Sequence, residues 1–221
     1  MLDRDSAERF AGWFKALADP TRLTIVDELV RSDRSPTELR VRLAIESNLL
    51  AHHLDVLEDA EMIVRNRSSG DGRRRYVHLR PEVADGLRIG SATPVTEALF
   101  VCTRNSARSQ LAAALWRAIT GQPASSAGTD PADAIHPGAV EAAARAGLDL
   151  GTTRPRMLTD DDPHALVVTV CDRAHEQAGM DAWLHWSIPD PVPDGAAAAF
   201  DAVVDELRAR IRAFTTDPKA A

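Results

Sequence analysis

Apolar residues in the first part of the chain recur mainly at helical spacing. One set predicts an amphipathic first helix: Phe10, Trp13, Phe14 and Leu17. Asp19-Pro20 has the pattern of an N-cap followed by proline in the first helical turn, so it predicts the start of a second helix. Ser35 and Glu38 have the spacing of a capping box and predict a short third helix that ends near Leu43.

The pattern then changes from helix to strand. Ser47 is placed to cap a fourth helix over Asn48 to Ala60. Two short apolar runs, at residues 62–64 and 76–79, flank a turn-rich tip and are strand candidates. Several short helices followed by a hairpin are typical of a winged helix-turn-helix, so we predict an α+β domain of this kind over residues 1–90.

Short apolar strands alternate with helices in the rest of the chain. Strands are predicted at residues 98–101 and 165–170, and helices at 110–120, 137–146 and 200–214. This alternation predicts an α/β doubly wound domain with a parallel sheet over residues 96–221. The small and polar residues before it, which end in Pro94, predict a linker at residues 91–95.

Length and composition agree with two domains. The chain has 221 residues, which is above the usual size of one domain. We find no apolar run that approaches a membrane span, and the first residues lack the pattern of a signal peptide. The 2 cysteines do not make the disulfide framework of a secreted protein. We therefore expect a cytoplasmic protein without a membrane partner.

Charge is unevenly distributed, which bears on nucleic-acid binding. The net charge is −7, but arginines cluster around the predicted hairpin: Arg65, Arg67, Arg73, Arg74, Arg75 and Arg80. A capped helix that enters the major groove and a hairpin whose arginines reach phosphates would suit double-stranded DNA. The alternative is that these arginines form only a solvated face.

The clearest chemical signal lies at the first strand-to-helix turn of the second domain. It is the oxyanion-binding candidate loop Cys102, Thr103, Arg104, Asn105, Ser106, Ala107, Arg108 and Ser109. Backbone N–H groups and a helix N-terminus converge in such a turn, and Arg108 can contact two oxygens of a tetrahedral anion. This positive potential predicts a Cys102 that ionises well below the usual pKa of a thiol and acts as a nucleophile.

Two neighbours of Cys102 support this interpretation. Ser109 can donate a hydrogen bond to the thiolate, and Asn105 is expected to brace the loop. The alternative is a buried structural cysteine beside a surface arginine.

The segments 15–23 (KALADPTRL) and 52–57 (HHLDVL) resemble the ArsR/SmtB-type repressors. The resemblance implies a homodimer that binds a palindromic operator in double-stranded DNA, with Asn48 to Ala60 as the recognition helix. It makes Ser47, Asn48 and His52 the candidates for base contacts. His53 is a packing or phosphate residue, and the hairpin contributes Arg67, Arg73, Arg74 and Arg75.

The chain also departs from that family. Metalloid-sensing members carry paired cysteines on the third helix, where this chain has none, and zinc-sensing members use histidines on the last helix, where residues 81–89 also have none. We therefore expect no metal site. Leu49 and Ala51 occupy recognition-helix positions that are usually polar, which leaves open a domain that serves only dimerisation.

Residues 97–214 resemble the low-molecular-weight protein tyrosine phosphatase superfamily, and within it the phosphatase-like arsenate reductases. The resemblance rests on the loop and on the segments 125–129, 136–140, 147–149 and 185–191. It implies that Asp190, in an Asp-Pro loop, is a general acid; the alternative is an aspartate that caps a turn. Val192 and Pro193 stand where tyrosine phosphatases carry aromatic residues, which disfavours an aryl phosphate substrate.

The resemblance also places Cys171 where thioredoxin-coupled reductases have their first resolving cysteine. Those enzymes carry a further cysteine seven residues on and often one before the loop arginine, and here these positions are Ala178 and Ala107. Either Cys102 and Cys171 form a disulfide that an external reductant reaches, or a small thiol resolves the adduct directly. Cys171 as an inert core residue is a third possibility.

Together these features predict a bifunctional ArsR-type transcriptional regulator and thiol-dependent arsenate reductase. Its ligands would be arsenate or phosphate, without a tightly bound cofactor. Its redox partner would be a thiol reductant of the mycothiol, glutathione or thioredoxin type. Two alternatives remain: a regulator whose second domain senses an oxyanion or redox state without turnover, and a small-substrate phosphatase.

Overall fold

The computed structural model describes residues 3–87, 97–159, 162, 166–178 and 183–215. Buried apolar residues form two separate hydrophobic cores, one within residues 3–87 and one within residues 97–215. We call these the N-terminal unit and the C-terminal unit. The predicted linker at 91–95 lies outside the described residues, so the domain boundaries stay a prediction.

Helices make up most of the N-terminal unit. They are α1 (Arg4–Leu17), α2 (Pro20–Arg31), α3 (Pro36–Leu43), α4 (Ser47–Asp59) and α5 (Pro81–Leu87). The Asp19 carboxylate accepts hydrogen bonds from the N–H groups of Thr21 and Arg22 at the start of α2. Ser35 and Glu38 form the complete capping box at the start of α3. The local signals for the second and third helices are thus confirmed.

The start of the fourth helix differs from the prediction. Helix α4 already begins at Ser47, and its N-cap is Glu46, which makes no side-chain capping bond. The predicted cap at Ser47 is therefore wrong, because the helical backbone begins one residue earlier than expected. Ser47 remains exposed within the first turn.

The hairpin follows the helices as predicted. Strands β1 (Ile63–Arg67) and β2 (Arg75–Leu79) pair antiparallel, with Ile63 opposite Leu79 and Arg67 opposite Arg75. Their tip and the residue on either side of it, residues 67–75, form the wing. Four helices, a hairpin and a fifth helix make this unit a winged helix.

The C-terminal unit alternates strands and helices. In chain order its elements are β3 (Ala98–Cys102), α6 (Arg108–Thr120), β4 (Ala124–Gly128), α7 (Pro137–Arg145), β5 (Val167–Thr169), α8 (Asp172–Ala178), β6 (Leu184–His185) and α9 (Ala197–Thr215). The strands lie in the order β4-β3-β5-β6 and pair in parallel. The predicted parallel α/β fold is confirmed.

Parallel order brings the two cysteines to one edge of the sheet. Cys102 is the last residue of β3, and Cys171 lies just beyond β5, the neighbouring strand. The carboxyl ends of parallel strands meet at the same edge, where open α/β sheets bind their ligands. Residues 69 positions apart in the sequence thus come close together.

The two units contact each other along several elements. Helices α2 and α5 pack against α9, the wing contacts α8, and the connection between α2 and α3 hydrogen-bonds to β6. None of the described helices combines the length and apolar character of a membrane span.

Candidate active site and nucleic-acid interface

The loop between β3 and α6 forms a cup at the carboxyl edge of the sheet. Helix α6 begins at Arg108, and its N-cap residue Ala107 has no side chain that could bond the first N–H groups. These amides and the helix N-terminus leave a partial positive charge at the mouth of the loop. Such a turn can bind an anion without a metal.

Cys102 lies at the base of this cup and is only 2% exposed. Its Sγ accepts a hydrogen bond from the Asn105 N–H at 3.1 Å. The Ser109 hydroxyl lies 3.0 Å from the same sulfur. The contact expected between Ser109 and Cys102 is therefore present, and both neighbours can stabilise a thiolate.

Asn105 fixes the shape of the loop. It has a left-handed backbone with φ of 48°, and its Nδ2 donates to Ser109 Oγ at 2.8 Å. Its Oδ1 accepts from the Arg156 N–H at 2.9 Å, which connects the loop to the chain beyond α7. This geometry agrees with the predicted bracing role.

A glycine on the neighbouring strand allows the loop to approach the sheet. A Cβ added to Gly128 would lie 2.7 Å from the Thr103 carbonyl oxygen and 3.1 Å from the Asn105 nitrogen. Backbone atoms cannot move aside as a flexible side chain can. The position therefore requires glycine for the observed loop conformation.

Arg108 and Asp190 lie together at the mouth of the cup. The Arg108 Nη2 is 3.1 Å from Asp190 Oδ2, and its Nη1 donates to the Ile188 carbonyl at 3.1 Å. Arg108 is buried, whereas the Asp190 side chain is 40% exposed. The fold thus brings together the cation and the carboxylate predicted from separate parts of the sequence.

Burial dominates the acidity of Cys102. Removal from water raises the pKa of the Cys102 thiol above its usual value, while the Arg108 charge and the Ser109 hydrogen bond act in the opposite direction. The expected ionisation well below the usual thiol pKa is therefore wrong for this site. The positive charge of the loop still favours the thiolate, but the cost of removing the Cys102 sulfur from water is larger.

Cys171 approaches the same loop from β5. It is buried, and its Sγ lies 3.3 Å from the Thr103 hydroxyl oxygen. Cys171 also contributes to the raised pKa of Cys102. Both cysteines are free thiols, so the arrangement has the two sulfurs that an internal disulfide would need.

Two residues of the predicted loop have other contacts. Arg104 is exposed and pairs with Asp130 at 2.5 Å. The Ser106 carbonyl accepts from the His136 N–H at 2.8 Å. These contacts anchor the outside of the loop to the segment after β4.

The recognition-helix candidates are mostly accessible. Ser47, Asn48 and His52 are exposed on α4, so burial does not prevent the base contacts predicted for them. His53 is buried, and its Nδ1 lies 3.8 Å from Asp19 Oδ1. Of the two roles left open for His53, burial favours packing over phosphate contact.

The wing arginines are also accessible. Arg67, Arg73, Arg74 and Arg75 are exposed. Arg65 instead lies near α4, where its guanidinium bonds Asp55 at 2.9 Å and Glu58. Arg65 is thus partly neutralised, whereas the other four arginines are exposed on a hairpin whose second strand is mostly buried.

A contact that the sequence did not predict joins the wing to α8. Ser69 N donates to Asp172 Oδ2 at 2.7 Å, Ser68 Oγ donates to Glu176 Oε1 at 2.7 Å, and Asp71 N donates to Glu176 Oε2 at 2.6 Å. The Asp172 and Glu176 carboxylates thus accept wing donors of the kind that reach DNA phosphates. We found no sequence signal for this pairing.

The described residues contain no group of three or more His, Cys, Asp or Glu side chains suited to a metal ion.

A buried cysteine thus lies below an amide-lined loop at the first strand-to-helix turn of a parallel sheet. Residues 97–220 match the family described as low molecular weight phosphotyrosine protein phosphatase, and the chain belongs to this family. An arsenate reductase of Brevibacillus brevis is 32% identical over 123 residues, which span 52% of this chain and 90% of that protein.

The N-terminal unit is similar to repressors. The probable mercury resistance operon repressor of Streptomyces lividans is 34% identical over 103 residues, which span 45% of this chain and 78% of that protein. The transcriptional repressor SmtB homolog of Synechocystis is 28% identical over 96 residues, or 40% of this chain and 70% of that protein. A repressor-like region is thus fused to a phosphatase-family region, as both resemblances implied.

Proposed function

We propose that this protein is a DNA-binding regulator that also reduces arsenate, with Cys102 as the nucleophile. The observation that carries the proposal is the contact set at Cys102: an amide and a hydroxyl at its sulfur, with Arg108 and Asp190 at the mouth above it. The similarity to arsenate reductases selects arsenate among tetrahedral oxyanions.

In the first step, the loop amides and Arg108 hold arsenate above Cys102, and the sulfur attacks arsenic. An arsenic–sulfur bond forms and an arsenic–oxygen bond breaks. Asp190, 3.1 Å from Arg108, delivers a proton to the leaving oxygen as a general acid, so that this oxygen departs as water. The proton that the Cys102 thiol loses then restores the acid.

In the second step, a thiol attacks Cys102 Sγ. A disulfide forms, the electron pair of the arsenic–sulfur bond goes to arsenic, and arsenite leaves. The two thiols together lose two electrons when they form the disulfide, and arsenic(V) gains these electrons and becomes arsenic(III). The contact of Cys171 with Thr103 makes Cys171 one candidate for the attacking thiol. A small cellular thiol is the other.

Arsenite formation tests the proposal directly. We expect the wild type to release arsenite from arsenate with a thioredoxin, glutaredoxin or mycothiol system, and Cys102→Ser to release none. Cys171→Ser discriminates between the thiols: it abolishes turnover if Cys171 resolves the adduct and preserves it if a small thiol does. Absence of arsenite with all three systems, or turnover of p-nitrophenyl phosphate that rivals it, would contradict reductase activity.

The contact between the wing and α8 favours a second function, a sensor. Helix α8 begins directly after Cys171 and holds the wing through Asp172 and Glu176. An oxyanion in the loop, or a Cys102–Cys171 disulfide, would move the start of α8 and change the wing. The N-terminal unit would then respond on its palindromic operator, which we expect it to bind as a homodimer.

DNA affinity measured with and without ligands tests the sensor. We expect the affinity for the protein's own promoter region to change with arsenate, arsenite or an oxidant. Cys171→Ser should abolish the response to the oxidant. Equal affinity in every condition would contradict sensing, and failure to bind at low salt would indicate a unit that serves only dimerisation.

A further inference from the structure

The connection between α2 and α3 of the repressor-like unit is bound to the segment that leads to Asp190. Asp33 N donates to the His185 carbonyl at 2.7 Å, and Asp33 Oδ2 accepts from the Ser187 N–H at 2.7 Å. Ser32 Oγ accepts from the His185 N–H at 2.8 Å. The N-terminal unit thus binds one edge of residues 185–187, whereas the Trp186 N–H on the opposite edge donates to the Thr169 carbonyl of β5 at 2.8 Å.

The next residues along the chain meet Arg108. The Ile188 carbonyl accepts from Arg108 Nη1, and Asp190 pairs with Arg108 Nη2, each at 3.1 Å. Only Ile188 and Pro189 separate the segment bound by Asp33 from the carboxylate at the mouth of the cup. The position of residue 187 therefore restricts where Asp190 can lie.

Asp33 is held firmly enough to act as an anchor. Its side chain is fully buried. Asp33 Oδ1 accepts from Arg210 Nη1 of α9 at 2.7 Å, and Asp33 Oδ2 lies 3.0 Å from His78 Nδ1 of β2. The carboxylate thus has partners from both units, and buried charge-assisted hydrogen bonds of this kind are geometrically strict.

We propose that Asp33 is a positioning residue for catalysis: the repressor-like unit holds the Asp190 loop in its productive place over Cys102. This role rests on the proposed function, in which Asp190 delivers a proton to the leaving oxygen. Asp33 does not reach the substrate. It acts through the Ser187 backbone, so its effect should depend on Asp190.

A double-mutant cycle with full-length protein tests this dependence, with arsenite release as the assay. Asp33→Asn keeps the shape of the side chain but removes its charge. We expect it to lower kcat about tenfold, a part of the roughly 10²–10⁴-fold effect of a general acid, with the KM for arsenate little changed. In an Asp190→Ala background, Asp33→Asn should change kcat by less than about twofold.

Two further variants keep the test decisive if Asp33→Asn does not fold. Ser32→Ala loosens the same segment without touching the buried charge, and we expect the same dependence on Asp190 with a smaller loss. Asp27→Asn makes the matched chemical change within α2, and we expect wild-type kcat. Circular dichroism verifies the fold of each variant.

The outcomes separate this inference from the proposed function. An equal loss of kcat with and without Asp190 would mean that Asp33 is merely structural, and an unchanged kcat in Asp33→Asn and Ser32→Ala would also overturn the role. If the wild type forms no arsenite but hydrolyses p-nitrophenyl phosphate, reductase activity is contradicted. The same double-mutant cycle is then measured with the rate of that hydrolysis as the assay. If it does neither, the catalytic proposal and this role of Asp33 fall together.

Discussion

The Ser109 hydroxyl contributes to the reactivity of Cys102. Burial raises the pKa of Cys102, and Arg108 and Ser109 lower it in part. Because Ser109→Ala removes one stabilising contact of the thiolate, we expect this variant to raise the pKa of Cys102 further. The rate of Cys102 alkylation by iodoacetamide should then reach its midpoint at a higher pH than in the wild type.

The matched control for this measurement is Ser125→Ala. The Ser125 hydroxyl on β4 has no hydrogen-bond partner among the described residues, and its loss should leave the alkylation midpoint unchanged. A midpoint that stays the same or falls in Ser109→Ala would contradict the assigned contact.

A substitution at Gly128 tests whether the loop between β3 and α6 needs its close approach to β4. The added Cβ would lie 2.7 Å from the Thr103 carbonyl oxygen, so Gly128→Ala must displace the loop. We expect phosphate binding, measured by isothermal titration calorimetry, to weaken at least about tenfold, or about 1.4 kcal/mol.

Gly12→Ala is the matched control for Gly128→Ala. A Cβ at Gly12 meets nothing within 4 Å, and alanine within α1 should stabilise the protein by about 0.5–1 kcal/mol. Phosphate affinity should not change in this variant. Full phosphate affinity in Gly128→Ala would show that the loop does not depend on this close approach.

At the scale of elements, Glu176 should determine how firmly α8 holds the wing. It accepts hydrogen bonds from Ser68, Asp71 and Tyr76, and Glu176→Ala removes all three. The loss of about 1 kcal/mol of local stability corresponds to a roughly fivefold larger open population. We therefore expect trypsin to cleave at the wing arginines about fivefold faster.

The exposed Glu141 on α7 provides the control for trypsin cleavage. Glu141→Ala removes only a surface pair with Arg145, which is worth little, and should leave the cleavage rate unchanged. Equal cleavage of the wing in Glu176→Ala and the wild type would mean that the wing is held by something other than α8.

Sequence patterns predicted those elements that carry their own local signals. The caps at Asp19 and Ser35 satisfy helix N–H groups within a few residues, so propensity and spacing were sufficient. Three short elements were missed: β4, α8 and β6. Strand β4 (ASSAG) has no large apolar residue, α8 is seven mostly polar residues, and β6 has two residues. Their stability comes from tertiary packing, which periodicity does not report.

The same limit applies to the site. The spacing from Cys102 to Ser109 predicted the loop, because that contact set is local. Asp33 carries no comparable signal, since its partners Ser187 and Arg210 are more than 150 residues away. The acidity of Cys102 also depends on burial, which the loop sequence alone does not reveal.

At the scale of the whole molecule, acid should loosen the contact between the units. Glu38 of α3 lies 3.7 Å from His175 of α8. Burial alone would raise the pKa of Glu38, but the nearby His175 and the hydrogen bonds from Ser35 lower it to about 2. Because the unfolded chain binds this proton at a higher pH, stability should fall as the pH drops from about 4.5 towards 2.

Thermal unfolding across this pH range checks the linkage. We expect the Tm of the wild type to fall on acidification and that of Glu38→Gln to fall less steeply, because glutamine does not titrate. Glu8→Gln, on an exposed face of α1, should keep the wild-type slope. Parallel slopes for the wild type and Glu38→Gln would contradict the assigned contact of Glu38 with α8.

The enzymatic proposal depends on an oxyanion that sits directly above the Cys102 sulfur. Alkylation of Cys102, followed by peptide mass spectrometry at increasing arsenate or phosphate, measures this without requiring turnover. We expect both oxyanions to slow alkylation in the wild type until the effect saturates, and Arg108→Lys to lose this protection because lysine lacks the paired contact. Alkylation at the same rate with and without oxyanion would contradict an anion site at Cys102.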